Sequence, residues 1–135
     1  MSKGNTTEND VLKMALQGTD PSWRSNANLY IALHTADPGE SGNQTTNECT
    51  YGGYARKAVV KATDWTDGGS SFTNAILLQY AECSSGSETI THFSIGTASS
   101  GAGQILYKGA LSSSRNVSAG IQPQWAIGSL TITED

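Results

Sequence analysis

Residues 28–56 read NLYIALHTADPGESGNQTTNECTYGGYAR, and this stretch decides the fold. Leu29, Ile31 and Leu33 alternate with Tyr30, Ala32 and His34, the period-two pattern of a half-buried strand. Asp37-Pro38-Gly39 breaks the strand, because proline presets φ for a turn and glycine supplies a permissive hinge. A long polar excursion follows. Tyr51-Gly52-Gly53-Tyr54 closes it before a second strand over residues 54–62. The pattern predicts an arm that leaves the body of a β-domain and touches another protein chain.

Working outward, the same strand-and-turn grammar continues. Asp67-Gly68-Gly69-Ser70-Ser71 is a strong turn signal, and Phe72 to Tyr80 (FTNAILLQY) reads as a strand with an apolar centre. Ile90 to Thr97 alternates cleanly, with Phe93 and Ile95 on one side and His92 and Ser94 on the other. Ile105, Tyr107 and Leu111 keep phase over Gln104 to Leu111. Ser112-Ser113-Ser114 predicts a turn, and a last strand over Gln124 to Thr133 holds Gly128 as a bulge. About seven short strands with turn chemistry between them predict an antiparallel β-sandwich or jelly-roll-like domain over residues 28–135.

Before it lies one helix. Thr7 fits an N-cap, Glu8 and Asp10 complement the positive end of the dipole, and Gly18 followed by Asp20-Pro21 ends it. Val11, Leu12, Ala15 and Leu16 share one face, so a short helix that is marginal by itself must dock on something. Trp23 is the expected anchor. Helix and linker (1–27) and the β-domain together predict one compact body, which suits 135 residues.

Composition narrows function. Only 15% of residues are charged and the net charge is −4, with basic residues scattered, so the footprint of a nucleic-acid binder is missing. No apolar run reaches the ~18 residues of a membrane span, and the N-terminus lacks the apolar core of a signal peptide. Cys49 and Cys83 are the two cysteines, and the sequence leaves open whether they pair.

Chemistry is sought and not found. His34 and His92 are the only histidines, and no close-spaced ligand pair suggests zinc. Asp64 and Asp67 lack the remaining ligands of a calcium loop. No Gly-x-Ser-x-Gly elbow occurs, and Asp37 with Glu40 reads as turn chemistry around Pro38-Gly39. Catalytic residues, metals and cofactors are therefore all expected to be absent. Tyr51, Tyr54 and Trp65 cluster near the end of the loop, either capping a small core or marking a protein–protein patch.

The succession LYIALHTADPGESG, GGYAR, ITHFSIGTASSGAGQILYKGAL and AIGSLTI resembles a family of small tailed-bacteriophage proteins usually labelled tail fibre proteins, others of which look like capsid decoration proteins. The resemblance covers Leu29 to Asp135. It implies a non-enzymatic virion component, assembled in the host bacterial cytoplasm. A compact globule without heptads or a repeat suits a decoration or cement protein better than a fibre shaft. The leading expectation is thus capsid decoration, with the major capsid protein as partner. The alternatives are a tail fibre, collar or tail-tip subunit bound to tail or portal proteins, and a receptor- or glycan-binding module using Tyr51, Tyr54 and Trp65. A homo-oligomer is expected, with no nucleic-acid or membrane partner. The candidate interface comprises Val11, Leu12, Leu16 and Trp23 from the helical region, Asp37, Pro38 and Glu40 from the loop, and the three clustered aromatics.

Overall fold

The computed structural model describes residues 1–134. Two short segments open it: β1 (Ser2–Lys3) and α1 (Asn5–Gln17), followed by a single 3₁₀ turn at Ser22–Ser25. The rest is strand: β2 (Asn28–His34), β3 (Lys57–Val60), β4 (Trp65–Asp67), β5 (Ser71–Asn74), β6 (Leu78–Gln79), β7 (Ser87–Gly96), β8 (Ile105–Ser118), β9 (Gln124–Trp125) and β10 (Thr131–Thr133). All pairings are antiparallel and form a five-stranded sheet, β1-β8-β7-β2-β3, a three-stranded sheet, β10-β5-β4, and the pair β6-β9.

The layers are sandwich-like, as the strand spacing predicts. Ile31 faces Ile95 and Leu33 faces Phe93 across β2 and β7. With Val59 they meet Leu78 and Ile132 from the two smaller sheets, and Tyr80 and Leu130 next to those strands, in one buried cluster. Cross-strand apolar pairs of this kind are the unit of sheet stabilisation. The first residues belong to the same body: Ser2 and Lys3 pair with Lys108 and Tyr107 at the sheet edge, and Met1 packs against the core.

Several boundaries differ from the sequence reading, each for a tertiary reason. The second strand is confined to Lys57–Val60, since residues 54–56 are still part of the loop closure. The run Phe72–Tyr80 is two strands in different sheets, because Asn74 turns the corner. Its amide donates to the carbonyls of Ile76 (2.8 Å) and Ala126 (2.9 Å), and its side-chain oxygen accepts from the Leu130 amide at 2.9 Å. Residues 124–133 likewise divide into β9 and β10, with Gly128 in the turn between them at φ 78° rather than at a bulge. Ser112–Ser114 does not end its strand. Ile90 pairs with Arg115 and His92 with Ala110, so the four residues Leu111–Ser114 lie opposite Thr91 alone, and β8 absorbs the serines as a large bulge.

The helix also differs in detail. Gly4 is its N-cap, without a side-chain cap bond, and Thr7 is buried one turn inside. Gly18 closes the C-terminus in the left-handed region (φ 66°), which glycine adopts without a Cβ clash.

Asn74 is 1% exposed and satisfies three backbone groups. Asn74→Ala should lower stability in urea unfolding by at least ~2 kcal/mol, because buried backbone groups lose partners that water cannot replace. A loss below ~0.5 kcal/mol would contradict its role as the corner piece.

Candidate functional site

The loop after β2 is where chemistry or contact was expected, and its geometry is that of a lid lying on its own sheet. It does not reach outward as an arm. His34 is joined to Glu48 by a bridge, and the Cys49 amide donates to the Leu33 carbonyl at 2.9 Å. The middle of the loop is held by Gln44, fully buried, whose amide donates to the Tyr30 carbonyl at 3.0 Å. Its side-chain oxygen accepts from the Ala98 amide at 3.1 Å. Glycine is required opposite it: a Cβ on Gly103 would stand 2.1 Å from Gln44 Oε1, and one on Gly96 would stand 2.2 Å from Gln44 Cδ.

The end of the loop is tied by Arg56. Its guanidinium forks onto Glu48, Nε to Oε1 at 2.7 Å and Nη2 to Oε2 at 2.8 Å, and also donates to the Ala98 (2.9 Å) and Gly101 (2.6 Å) carbonyls. Glu48 Oε1 accepts as well from the Tyr54 hydroxyl, which itself accepts from the Leu33 amide. Glu88 accepts from the Thr50 amide and hydroxyl and the Tyr51 amide.

Two of the clustered aromatics therefore cap the core, one of the two arrangements that the sequence allows. Tyr51 is 3% exposed and Tyr54 packs against the same cluster. They open a ring ladder, Tyr51–Tyr54 at 5.4 Å, Tyr54–Tyr80 at 6.3 Å and Tyr80–Trp125 at 5.8 Å. Burial pushes the Tyr51 hydroxyl up to about 12 and those of Tyr54 and Tyr80 well above the usual tyrosine range. Tyr51→Ala or Tyr54→Ala would thus hollow the core. A glycan platform built on them loses two of its three residues. Cys49 and Cys83 are both free and buried, and burial raises the Cys49 thiol to about 12.

His34 and Ser94 form a pair that invites a catalytic reading. The Thr46 carbonyl can only accept, so His34 Nδ1 donates to it (2.9 Å), and Nε2 then accepts from the Ser94 hydroxyl at 2.7 Å. Both residues are 0% exposed, so no substrate reaches the hydroxyl, and the geometry is that of a packed polar layer. Among the described residues no cluster of three or more His, Cys, Asp or Glu side chains could hold a metal ion. Among the described residues no helix is long and apolar enough to cross a membrane.

What remains outward-facing lies elsewhere. Helix α1 docks through polar groups: the Thr7 hydroxyl donates to the Ile105 carbonyl at 2.7 Å, and Asp10 accepts from Trp23 Nε1 (2.9 Å) and Gln104 Nε2 (2.8 Å). Trp23 lies half-buried beside the helix, with Lys61 set 5.7 Å over its ring. This leaves Leu12 and Leu16 58% and 79% exposed, while Val11 is half-buried. In the loop, Pro38 is buried, Glu40 is exposed, and exposed Asp37 pairs with Lys108 at 3.1 Å. Asp37 is held below the usual carboxylate range, first by the Gly39 amide and then by Lys108. Trp65 lines an apolar cleft of about 280 Å³ where the large and three-stranded sheets part, together with Leu29, Phe72, Ile95, Tyr107 and Ile132. Phe72 and Tyr107 escaped the sequence reading because their alternation marks them as ordinary strand positions.

A family model described as podophage GP4 fiber I protein gp80 matches residues 2–133. The chain belongs to this Gp80 family. Comparison with curated proteins found no match. Gp80 membership makes the protein a fibre-type structural component of a phage virion, associated with other virion proteins. The resemblance seen in the sequence blocks is thereby confirmed at family level, and it now extends over the helix.

Two measurements test the lid. Glu48→Ala leaves Arg56, whose side chain is 2% exposed, without its counter-ion and should lower stability by ~3 kcal/mol. Arg56→Met combined with Glu48→Met should recover most of that loss in urea unfolding, because neither charge is then stranded. The second is pH dependence. Burial lowers the His34 pKa from 6.5, so the unfolded chain binds the proton more readily. Stability is complete above the unfolded value and falls as pH drops below 6.5, by up to ~1.4 kcal/mol per unit until the folded value is passed. His34→Gln should flatten this slope relative to its own pH 7.5 stability. An unchanged slope would assign the effect to other groups.

Proposed function

We propose that this Gp80 protein is a non-enzymatic subunit of the phage tail, in a fibre, collar or tip, and works by binding neighbouring virion proteins. The carrying observation is the fibre-family match over residues 2–133. It outweighs the capsid-decoration reading, which rested on the absence of a shaft. A fibre can contain globular knobs or be built by stacking globules, so a compact chain is compatible with it. The sealed His34–Ser94 pair, the buried Tyr51 and the half-buried Tyr54 packed on the core support a contact role over catalysis or glycan capture.

The surfaces offered for contact are Leu12 and Leu16 on α1, Glu40 beside the start of the helix, and the Trp65 cleft. Large exposed apolar side chains in proximity are characteristic of assembly surfaces. The expected partners are tail or portal proteins and further copies of the chain. Gold-labelled antibody against the protein, imaged on intact particles, should decorate the tail vertex alone. Label spread over the icosahedral shell would restore capsid decoration and overturn the tail assignment.

A further inference from the structure

The loop over residues 35–47 is bonded within itself as well as to the sheet beneath. Its ends meet, the Thr35 amide donating to the Asn47 carbonyl at 2.9 Å, and Asn47 Nδ2 donates back to the Asp37 carbonyl at 3.0 Å. Inside it the Thr46 amide donates to the Asn43 carbonyl, and Thr46 Oγ1 accepts from the Asn43 amide. Compact loops with adjoining ends form the Ω class, and segments with little buried apolar area open more readily than a core. Pro38 is the one buried apolar side chain this loop contributes. Its other attachments are polar: Asp37 to Lys108, Glu40 to Ser2 and the Asn5 amide, Gln44 to Tyr30, Arg56, Ala98 and Gly103, and the Thr46 carbonyl to His34. Ile31 and Leu33 pack on the other side of β2, so lifting the loop leaves the apolar cluster intact.

Among these attachments the imidazole of His34 is the side chain whose charge changes closest to neutral pH. Its Nε2 accepts the Ser94 hydroxyl proton at 2.7 Å, and a second ring proton has to take that place. The charged and titratable groups around the ring are Asp37 and Glu48 from the loop, Arg56 after it, His92 on β7 and Lys108 on β8. Burial keeps the Tyr54 hydroxyl and the Cys49 thiol neutral. Arg56 forks onto Glu48 and Lys108 pairs with Asp37, so each carboxylate is already matched to a cation. His92 stands directly across from His34, where two like charges oppose each other. A charged His34 therefore has no spare counter-ion in the closed layer and gains water once the loop lifts. We propose that residues 35–47 are a lid that lifts from the main sheet as one unit on acidification, with His34 as its trigger. Burial lowers the His34 pKa, which fixes the sign: the closed form is complete above 6.5, and the proton favours the open form as pH falls below it. Asp37 is held below the usual carboxylate range, so it stays charged while His34 takes up its proton. Lifting also withdraws the Glu40 carbonyl from the first turn of α1, where the Gly4 cap has no side chain to replace it. This motion belongs to the subunit itself, whether it sits in a tail or elsewhere.

Amide hydrogen exchange on the full 135-residue chain reads the lid directly, followed from about pH 8 to about pH 5 and corrected for the intrinsic rate at each pH. The Gln44 and Asn5 amides are bonded across the lid boundary, to the Gly103 and Glu40 carbonyls. They should lose protection by about tenfold for each pH unit below 6.5, until the folded His34 value is passed. The Ile31 and Ile95 amides, inside the main sheet, should keep theirs. His34→Gln should remove the pH dependence from the lid. Should that variant fail to fold by near-ultraviolet circular dichroism, the His34 ring signal of the unmutated chain takes its place, assigned by its persistence in the nuclear magnetic resonance spectrum of His92→Gln. That ring should take up its proton only as the lid opens. Protection at Gln44 that holds across the whole range overturns the proposal. Loss shared equally by Ile31 and Ile95 overturns it too, since the whole domain then unfolds together. A pH dependence unchanged in His34→Gln, or a ring that charges while the Gln44 amide stays protected, does the same.

Discussion

The structure depends on a polar seal over the back of β2. Ala32, Ser94 and Lys108 are cross-strand neighbours on that face, with His34 and His92 beside them, and several of these groups are almost wholly withdrawn from water. A sheet face of this kind holds together only if each buried donor and acceptor finds a partner. The returning loop supplies those partners: Thr46 for His34, Gln44 for Tyr30 and Ala98, and Glu48 for Arg56 and Tyr54. Among the described residues no buried side-chain nitrogen or oxygen is left without one. The sandwich thus has apolar packing on one side of its main sheet and a hydrogen-bonded lid on the other.

That division explains where contact surface is available. With the loop consumed in covering β2, outward apolar area lies on the helix at Leu12 and Leu16, at the cleft between the sheets, and at Leu77, Ile121 and Ile127. Helix α1 is fixed by Thr7 and Asp10, an unusual use of the polar side of a helix for docking, and its leucines are left to solvent. A free chain gains little by exposing Leu16, whereas an assembly subunit gains a contact. A fibre-family protein with a closed polar interior and exposed apolar features at its periphery is organised for joining other chains.

Much of the fold was legible. The alternation of Leu29, Ile31 and Leu33 located β2 to the residue, Gly18 located the helix end, and Phe93 and Ile95 located the core face of β7. The errors share a cause. The local sequence of Thr7 suits a cap, but its hydroxyl is recruited by Ile105, far along the chain. Tyr51 and Tyr54 border glycines in a polar stretch, a local pattern that suits a cap on the core as well as a surface patch. Their place against the core follows from Tyr80, which stacks on Tyr54 and meets Trp125 edge-on, both far along the chain. At the candidate contact site, Leu12 and Leu16 were identifiable by helical spacing and Trp65 by residue type, but the cleft was not, since its walls come from two sheets.

The sequence by itself determined the class of object: a β-rich domain with one short helix, turn chemistry at regular intervals, and blocks that resemble phage fibre proteins. These follow from local periodicity and residue chemistry, which act over a few positions. Only the tertiary structure decided that the Asn28–Arg56 stretch covers its own sheet instead of reaching for a neighbour. Polar residues such as Gln44 and Arg56 are equally at home in water or in a fully paired interior. Which applies is set by partners 42 to 59 positions distant, Ala98 for Arg56 and Gly103 for Gln44, that no local pattern specifies.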